Sequence, residues 1–468
     1  MPDSLAPSST PLSPEEVDGL RDRVRAELPR TRADLEDLVR IESVSADPAR
    51  AAEVQRSAEA VAALFLAEGF ADARVVSAHE DGRAPAVLAR KEAPEGRPTV
   101  LLYAHHDVQP ENDHAEWDSP PFEPTERDRR LFARGAADDK AGIAAHLAAV
   151  RALGDDLGVG VTMFVEGEEE VGSDTLPELL AQHRDYLRSD VIVIADSSNW
   201  DVGVPALTTS LRGLVRVDVT VRTLTHAVHS GMWGGVVPDA LMALTRLLAS
   251  LHDEDGSVAV AGLHSGPAAE LDYPSDRLRA ESGLAEGVAQ IGTGSAVERL
   301  WTKPSLTVTG IDAPKVDGAS NTLTASARAK ISLRIAPGDT TEHALACLES
   351  HLREHVPFGA QLDVALVDTG EPTRIEASGP AYDAARSAFA AAWDGTEPID
   401  MGVGGSIPFI AEFLESFPDA SVLVTGVEDP DTRAHGANEG LHLAEFERVC
   451  VAEALLLAGL AKLGTARG

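Results

Sequence analysis

The chain has 468 residues, of which 44% are hydrophobic and 25% charged, a composition typical of globular proteins. Its formal net charge of −36 argues against nucleic acid and anionic membranes as partners, because both are bound through clustered basic residues. No apolar stretch is long enough to cross a bilayer, and the N-terminus lacks the basic and apolar regions of a secretory signal. We therefore expect a cytoplasmic protein of two or three domains.

The first half of the chain alternates helical patterns with short, continuous apolar runs. After residues 1–14, which we expect to be flexible, amphipathic patterns predict helices over 15–28, 31–41, 51–68, 141–153 and 176–187. Apolar runs predict strands over 99–103, 159–165, 191–195 and, near the C-terminus, 421–424. Such runs are typical of strands covered on both faces, which indicates a mainly parallel α/β sheet.

The middle of the chain has a different pattern. Apolar and polar residues alternate in "LVRVDVTVR" (214–222), "ARAKISLRI" (327–335) and "QLDVALVD" (361–368), as in antiparallel strands with one wet face. Helical patterns over 238–252 and 340–355 and a fourth strand over 305–308 complete a βαββαβ order, the ferredoxin-like arrangement. We therefore predict a first domain of residues 1–212 and 372–468, interrupted by a second domain of residues 213–371 with an irregular insertion over 253–298.

Side chains that commonly bind metals follow each predicted central strand. They lie in "HHD" (105–107), "EGEEE" (166–170), Asp196 and "RAHGANE" (433–439), while "RGAADDK" (134–140) precedes a helix. Because ligands bind at the carboxyl ends of strands in open α/β sheets, we expect these groups at one edge. Alone, each has an ordinary interpretation, such as a helix N-terminus for Asp138 or a solvated face for the glutamates. Together, imidazoles and carboxylates suit Zn²⁺, Mn²⁺ or Co²⁺.

Seven motifs also occur in the order found in a known family: "YAHHDVQP", "ARGAADDKAG", "EGEEEVGS", "IADSSNW", "VHSGMWGG", "VGGSIP" and "AHGANE". The chain resembles the dinuclear metallopeptidases that include carnosinase-type dipeptidases, acetylornithine deacetylase and carboxypeptidase G. The resemblance extends from about residue 20 almost to the C-terminus. It implies a mainly parallel-sheet catalytic domain with an inserted lid that also serves dimerisation.

The resemblance implies a role for each metal-type side chain. His105 and Asp196 would bind one metal ion, Glu170 and His435 would bind the other, and Asp138 would bridge both. Zinc is the expected ion, with manganese or cobalt as alternatives. The peptide bond that follows Asp138 is cis in relatives.

The resemblance also implies how the reaction proceeds. Asp107 would orient His105. Glu169 would be the general base that takes a proton from the attacking water and passes it to the leaving amine. Glu168 receives no role.

Further roles are implied for the second domain and for the late "VGGSIP" motif. His229 in "VHSGMWGG" resembles a lid histidine that reaches across a homodimer to the substrate carbonyl bound by the partner subunit. Asn321 in "ASNTL" and Arg334 in "ISLRIAPG" match substrate contacts, and Arg334 suits a bidentate grip on a terminal carboxylate. Gly405 and Ser406 would also contact substrate.

The function implied is hydrolysis of the peptide bond in dipeptides or short peptides. Asp196 favours this branch, because deacylases and carboxypeptidases often have glutamate there, and "HHDVQP" and "GGSIP" resemble the dipeptidase versions. The alternatives are an N-acyl-amino-acid amidohydrolase or a carboxypeptidase with the same chemistry. A metal-binding or scaffolding protein that has lost catalysis would lack a base or ligand, and none is missing. Thr324 stands where relatives often have proline, and Ala104 where they often have glycine; neither change removes a side-chain ligand.

Overall fold

The computed structural model describes residues 5–6, 11–267, 271–405 and 408–465. The chain divides into two compact units. The first comprises Met1–Thr209, Ile375–Met401 and Glu412–Gly468, and the second comprises Ser210–Arg374 and Gly402–Ala411. The predicted domains of 1–212, 213–371 and 372–468 stay predictions. The flexibility expected of residues 1–14 concerns positions that lie mostly outside the described residues.

The first unit is built on a mixed β-sheet. Its four central strands are parallel neighbours, in the spatial order Ser421–Val424, Val191–Ile194, Thr99–His105 and Gly160–Glu166. The sheet continues with antiparallel strands on both sides, namely Ala206–Leu211 on one and Ala86–Lys91 and Arg74–Val76 on the other. Strand Ala206–Leu211 runs into the second unit, where its last two residues pair with Thr373–Arg374, and it also pairs with Ile399–Val403. The predicted set of central parallel strands is therefore confirmed.

Helices cover this sheet, as expected for strands buried on both faces. They are Pro14–Val39, Ala51–Ala67, Lys140–Leu153, Leu176–Gln182, Arg184–Leu187, Pro380–Ala392 and Leu443–Leu460, with Pro408–Ser416 crossing the boundary between the two units. The single helix predicted over 176–187 is wrong, because His183 leaves helical geometry with φ −112° and ψ 18°. Helix Lys140–Leu153 is buried almost throughout and packs against Pro14–Val39, Leu443–Leu460 and the sheet.

The first unit also contains a small antiparallel sheet, one strand of which begins directly after residue 439. It consists of Thr125–Arg127, Arg130–Phe132 and Gly440–His442. Separately, the short strands Leu5–Ala6 and Gly464–Thr465 pair with each other.

The second unit has the predicted ferredoxin-like order. Four antiparallel strands lie in the order Ser305–Asp312, Ser326–Ile335, Gly213–Arg222 and Gln361–Gly370. Helices Ala240–Ala249 and Thr341–His355 pack their leucines against valines and isoleucines of the sheet. The shorter elements are Val228–His229 paired with Thr322–Leu323, and the helices Ser230–Trp233, Ser275–Ser282 and Glu298–Thr302.

Within the described ranges, no helix combines the length and apolar character that crossing a membrane would require.

The first helix runs unbroken over Pro14–Val39, so the prediction of two helices over 15–28 and 31–41 is wrong. Pro29 lies inside it. A proline there removes one backbone donor and crowds the carbonyl four residues earlier, which belongs to Arg25. Both residues are exposed. Packing of the buried residues on the helix outweighs this local cost.

We predict that Pro29→Ala stabilises the protein by about 1 kcal/mol, because alanine restores the backbone N–H that proline lacks and relieves the crowding of the Arg25 carbonyl. Residue 29 is exposed, so the substitution does not alter the core. Thermal unfolding monitored by circular dichroism would measure the shift. Pro29→Gly is the matched control: it restores the N–H but adds the flexibility of glycine, so its gain should be smaller. A loss of stability in Pro29→Ala would mean that the proline shapes a bend the core needs.

Candidate metal centre

Five side chains form two ligand groups that share one member. One group is His105, Asp138 and Asp196; the other is Asp138, Glu170 and His435; within each, the ligand atoms lie within 4.8 Å of one another. The Nε2 atoms of His105 and His435 each lie 3.1 Å from a different oxygen of Asp138. The structure thus brings together the five side chains proposed as ligands, with Asp138 at the centre.

The parallel sheet accounts for this meeting. His105 is the last residue of strand Thr99–His105, and Asp196 follows Val191–Ile194 by two residues. Glu170 lies in the turn after Gly160–Glu166. Because the three strands run in the same direction, their carboxyl ends reach one edge. Asp138 arrives just before helix Lys140–Leu153, and its peptide bond to Asp139 is cis.

The two adjacent histidines have different fates. Nδ1 of His105 lies 3.0 Å from the backbone oxygen of Asp107 and 3.5 Å from its carboxylate, so a proton on Nδ1 leaves Nε2 free for a metal. Nε2 of His106 instead donates to the backbone oxygen of Pro85 at 2.7 Å, and burial lowers the pKa of His106 to about 4. His106 is therefore a neutral core residue.

The Asp107 carboxylate lies where the sequence analysis proposed, beside His105, and it makes a second contribution. Its two oxygens accept the backbone N–H groups of Glu169 and Glu170, at 3.2 and 3.1 Å. One fully buried carboxylate thus holds both an imidazole and the turn that carries two of the glutamates.

The three consecutive glutamates have three different environments. Glu168 accepts the backbone N–H of Thr175 at 2.6 Å and the hydroxyl of the same residue, which closes the loop. Glu170 faces His435, with 3.2 Å between Oε2 and Nε2. The Glu169 carboxylate is partly exposed, and its Oε2 lies 3.9 Å from Nε2 of His105. No sequence pattern indicates the contact of Glu168, because it depends on how the loop turns back.

The carboxylates of this cluster repel one another unless protons or cations offset their negative charge. Burial raises the pKa of Asp196 to about 7. Burial, and then the Asp196 carboxylate, also raise the pKa of Glu169. Hydrogen bonds to Asp138 and Glu170 raise the pKa of His435 to about 11. Bound protons thus supply the positive charge that offsets these carboxylates. The closely spaced carboxylate oxygens and imidazole nitrogens fit two divalent cations.

Glu428 is a further acidic residue of this region that the sequence analysis missed. Burial, followed by the Asp138 and Asp196 carboxylates, raises the pKa of Glu428, so its side chain lies within their field. Its backbone oxygen accepts the N–H of Asn199 at 2.8 Å, which fixes it beside the loop after Asp196. The available signal was its place four residues after strand Ser421–Val424, the same kind of position that the ligands occupy.

In the second unit, the structure brings His229 and Asn321 together. His229 pairs with Thr322, and the next residue, Ser230, donates its N–H to the backbone oxygen of Asn321 at 2.9 Å. Nδ1 of His229 accepts the N–H of Gly231 at 3.0 Å, which places the ring proton of a neutral His229 on Nε2. His229 is exposed. It can therefore act as a hydrogen-bond donor.

Arg334 has an arginine as its neighbour. Burial, and then the charge of Arg334, lower the pKa of Arg212 to about 10. Arg212, which the sequence analysis missed, donates from Nε to the backbone oxygen of Gly404 at 3.1 Å. A methyl group on Gly405 would meet no atom within 4 Å, so this residue borders open space. Ser406, the other proposed substrate contact, lies outside the described residues.

A search with family models gives a match to "Peptidase family M20/M25/M40" over residues 101–458. A protein of Corynebacterium striatum named cysteinylglycine-S-conjugate dipeptidase is 36% identical over 382 residues, which cover 80% of this chain and 84% of the relative. The Beta-Ala-His dipeptidase of Rattus norvegicus is 30% identical over 384 residues, 76% of each chain.

Solved structures agree with these sequence matches. Human carnosine dipeptidase 1 superposes with a TM-score of 0.77 at 26% identity, covering 96% of this chain and 99% of that chain. The predicted family resemblance, fold class and hydrolase character are thereby confirmed. With more than half of its residues matched, the chain belongs to peptidase family M20/M25/M40.

Proposed function

We propose that the protein hydrolyses the peptide bond of unmodified dipeptides with two metal ions and Glu169 as general base. The observation that carries the proposal is the pair of ligand groups sharing Asp138, with the Glu169 carboxylate beside His105. The relatives described above are named as dipeptidases, which supports this substrate class.

The five candidate ligands divide between two ions. His105 and Asp196 would hold one ion and Glu170 and His435 the other, with Asp138 shared. Zn²⁺ suits this mixture of imidazole and carboxylate, and Mn²⁺ and Co²⁺ are the alternatives. The chemistry that such a pair supplies when bound is Lewis acidity, which lowers the pKa of a water molecule and polarises the scissile carbonyl.

Glu169 would move the proton. Its carboxylate is partly exposed, whereas that of Glu170 is taken up by Gln109 and His435. Glu169 would accept a proton from the attacking water and deliver it to the amine as the peptide bond breaks. Asp107 would keep the turn in place through the N–H groups of both glutamates.

The acidic surroundings favour a substrate with a free amino group over an N-acyl amino acid. Asp196 and Glu428 are both half-buried acidic groups of this region, and a substrate ammonium would offset negative charge there. An acylated amine carries no such charge. An N-acyl-amino-acid amidohydrolase or a carboxypeptidase is therefore the second candidate, and turnover of a dipeptide compared with its N-acetyl derivative separates the two.

We further propose that the protein is a homodimer in which His229 acts on substrate bound by the partner. Three large apolar side chains follow His229 and are exposed: Met232 at 74%, Trp233 at 52% and Val236 at 86%. Contiguous apolar exposure of this kind marks an interaction surface. The Nε2 proton of His229 would be donated to the substrate carbonyl, and Arg334 would bind the terminal carboxylate. The expected cytoplasmic location stays a prediction.

We predict that chelation abolishes dipeptide hydrolysis and that Zn²⁺, Mn²⁺ or Co²⁺ restores it. Because the metal-free site holds protons on its imidazoles and on Asp196, Zn²⁺ binding at pH 7 should release protons, and apparent affinity should rise from pH 6 to pH 8. Calorimetry in two buffers of different ionisation enthalpy measures this release. Full activity in demetallated protein would end the proposal.

We predict that Glu169→Gln keeps both ions but lowers kcat by at least about 10²-fold, the scale of a lost acid–base group. Glu170→Gln should instead weaken metal binding. Glu168→Gln is the matched control, because Glu168 contacts Thr175 and lies outside both ligand groups. Metal analysis of all three variants, together with initial rates, distinguishes the roles. Loss of metal from Glu169→Gln, with retention in Glu170→Gln, would exchange the two assignments.

We predict that His229→Ala lowers kcat by about 10² to 10³-fold with metal content unchanged, the scale for a donor to a developing oxyanion. His226→Ala, at another exposed histidine three residues earlier, is the control and should keep its activity. Mixing His229→Ala with Glu169→Gln tests the dimer directly, because a mixed dimer pairs one intact lid with one intact base. Absence of recovered activity after proven subunit exchange, or a fully active monomer, would refute action in trans.

A further inference from the structure

Glu439 holds the loop that carries Asp138. Its Oε1 accepts the backbone N–H groups of Ala137 and Asp138, at 2.9 and 3.1 Å. Its Oε2 accepts Nη1 of Arg134 at 2.6 Å and the N–H of Gly135 at 3.1 Å. The side chain of Glu439 is fully buried. Each oxygen thus has two donors, which leaves this carboxylate fully engaged as an acceptor and outside both ligand groups.

Arg134 connects the same carboxylate to the loop of the other metal group. Its Nη2 donates to the backbone oxygen of Gly436 at 3.0 Å, one residue after His435. The backbone adds a further link, because the N–H of Ala133 donates to the oxygen of Glu439 at 3.1 Å. One buried ion pair therefore contacts the main chain beside two candidate ligands that come from distant parts of the sequence.

This contact matters because Asp138 is the ligand that both groups share. Its Oδ1 faces His105 and its Oδ2 faces His435, each at 3.1 Å. A carboxylate can serve both sides only if its backbone is fixed relative to both imidazoles. The hydrogen bond from the backbone N–H of Asp138 to the Glu439 carboxylate holds the loop that carries Asp138. The hydrogen bond from Arg134 to the backbone oxygen of Gly436 holds the loop that carries His435.

We infer that Glu439 is a positioning residue that couples the two metal sites. Acting through Arg134 and the N–H of Asp138, it holds Asp138 so that an ion in one group leaves the second oxygen aimed at the other group. The inference rests on the proposed two-metal function, and it assigns to Glu439 a role in metal binding without direct ligation. Hydrogen bonds behind ligands change metal affinity by about 10- to 100-fold.

A second buried ion pair provides the control. Arg130 donates to both oxygens of Asp429, at 2.9 and 2.6 Å, and the Asp429 side chain is fully buried. Asp429 begins the loop 429–439, which carries His435, and Arg130 also donates to the backbone oxygen of Gly440 at 3.2 Å, directly after this loop. Its hydrogen bonds do not reach the backbone of residues 135–138. Breaking it therefore disturbs the same loop while the hydrogen bonds from residues 135, 137 and 138 to Glu439 stay in place.

The experiment compares Glu439→Gln with Asp429→Asn in the full-length protein after demetallation. Zn²⁺ binding is measured by competition with a chromogenic chelator, alongside thermal unfolding and steady-state kinetics. We expect wild type to bind two ions. Glu439→Gln should bind at least the second ion about 10-fold or more weakly and lose kcat with KM little changed. Asp429→Asn should lose similar thermal stability yet keep the wild-type binding curve.

The results distinguish failure of the inference about Glu439 from failure of the proposed two-metal function. If wild type takes up fewer than two ions, the proposed function fails and the inference falls with it. If wild type binds two and both variants weaken Zn²⁺ equally, the inference alone is overturned, because loop stability then explains the effect. Should Glu439→Gln not fold, Arg134→Lys replaces it, since lysine keeps the charge but lacks the fork that reaches Gly436. Unchanged affinity in that variant would also overturn the inference.

Discussion

The repulsion among buried carboxylates around Asp138 is the constraint on which the rest of the site depends. Burial raises the pKa values of these carboxylates most, and like charges a few ångströms apart in a poorly solvated region raise them further. The raised pKa values of Asp196, Glu169 and Glu428 report this cost. A fold that keeps such a cluster assembled must either hold protons there or bind cations, and the geometry of the two imidazoles favours cations.

The protein meets this constraint by giving its acidic residues separate tasks. Asp138, Glu170 and Asp196 belong to the ligand groups around the imidazoles, whereas Asp107, Glu168 and Glu439 lie outside these groups and accept backbone N–H groups. A carboxylate that accepts several N–H groups stiffens the loop that carries them. Carboxylates thus serve both as candidate metal ligands and as supports for loops. The position of each residue decides which of these two roles it has.

Much of this site could be predicted from sequence because it depends on strand ends. Strands buried on both faces read as apolar runs, and parallel neighbours bring their carboxyl ends together, so the positions of His105 and Asp196 followed from local pattern. The contacts of Glu168 and Arg212 could not be predicted, because they depend on how loops fold back, whereas Glu428 was missed although it follows a central strand. The continuous first helix was missed for a related reason: local rules give weight to Pro29, whereas packing across the whole helix decides its course.

Thr324 illustrates how a departure from the family pattern can strengthen the element that it alters. Its N–H and hydroxyl both donate to one oxygen of Asp239, at 2.6 and 2.9 Å, while the other oxygen of Asp239 caps helix Ala240–Ala249. Proline has no N–H and no hydroxyl, so it could make neither bond. Thr324 directly follows the strand Thr322–Leu323 that pairs with Val228–His229. Through these two hydrogen bonds Thr324 anchors the ribbon that carries His229 to helix Ala240–Ala249 of the second unit.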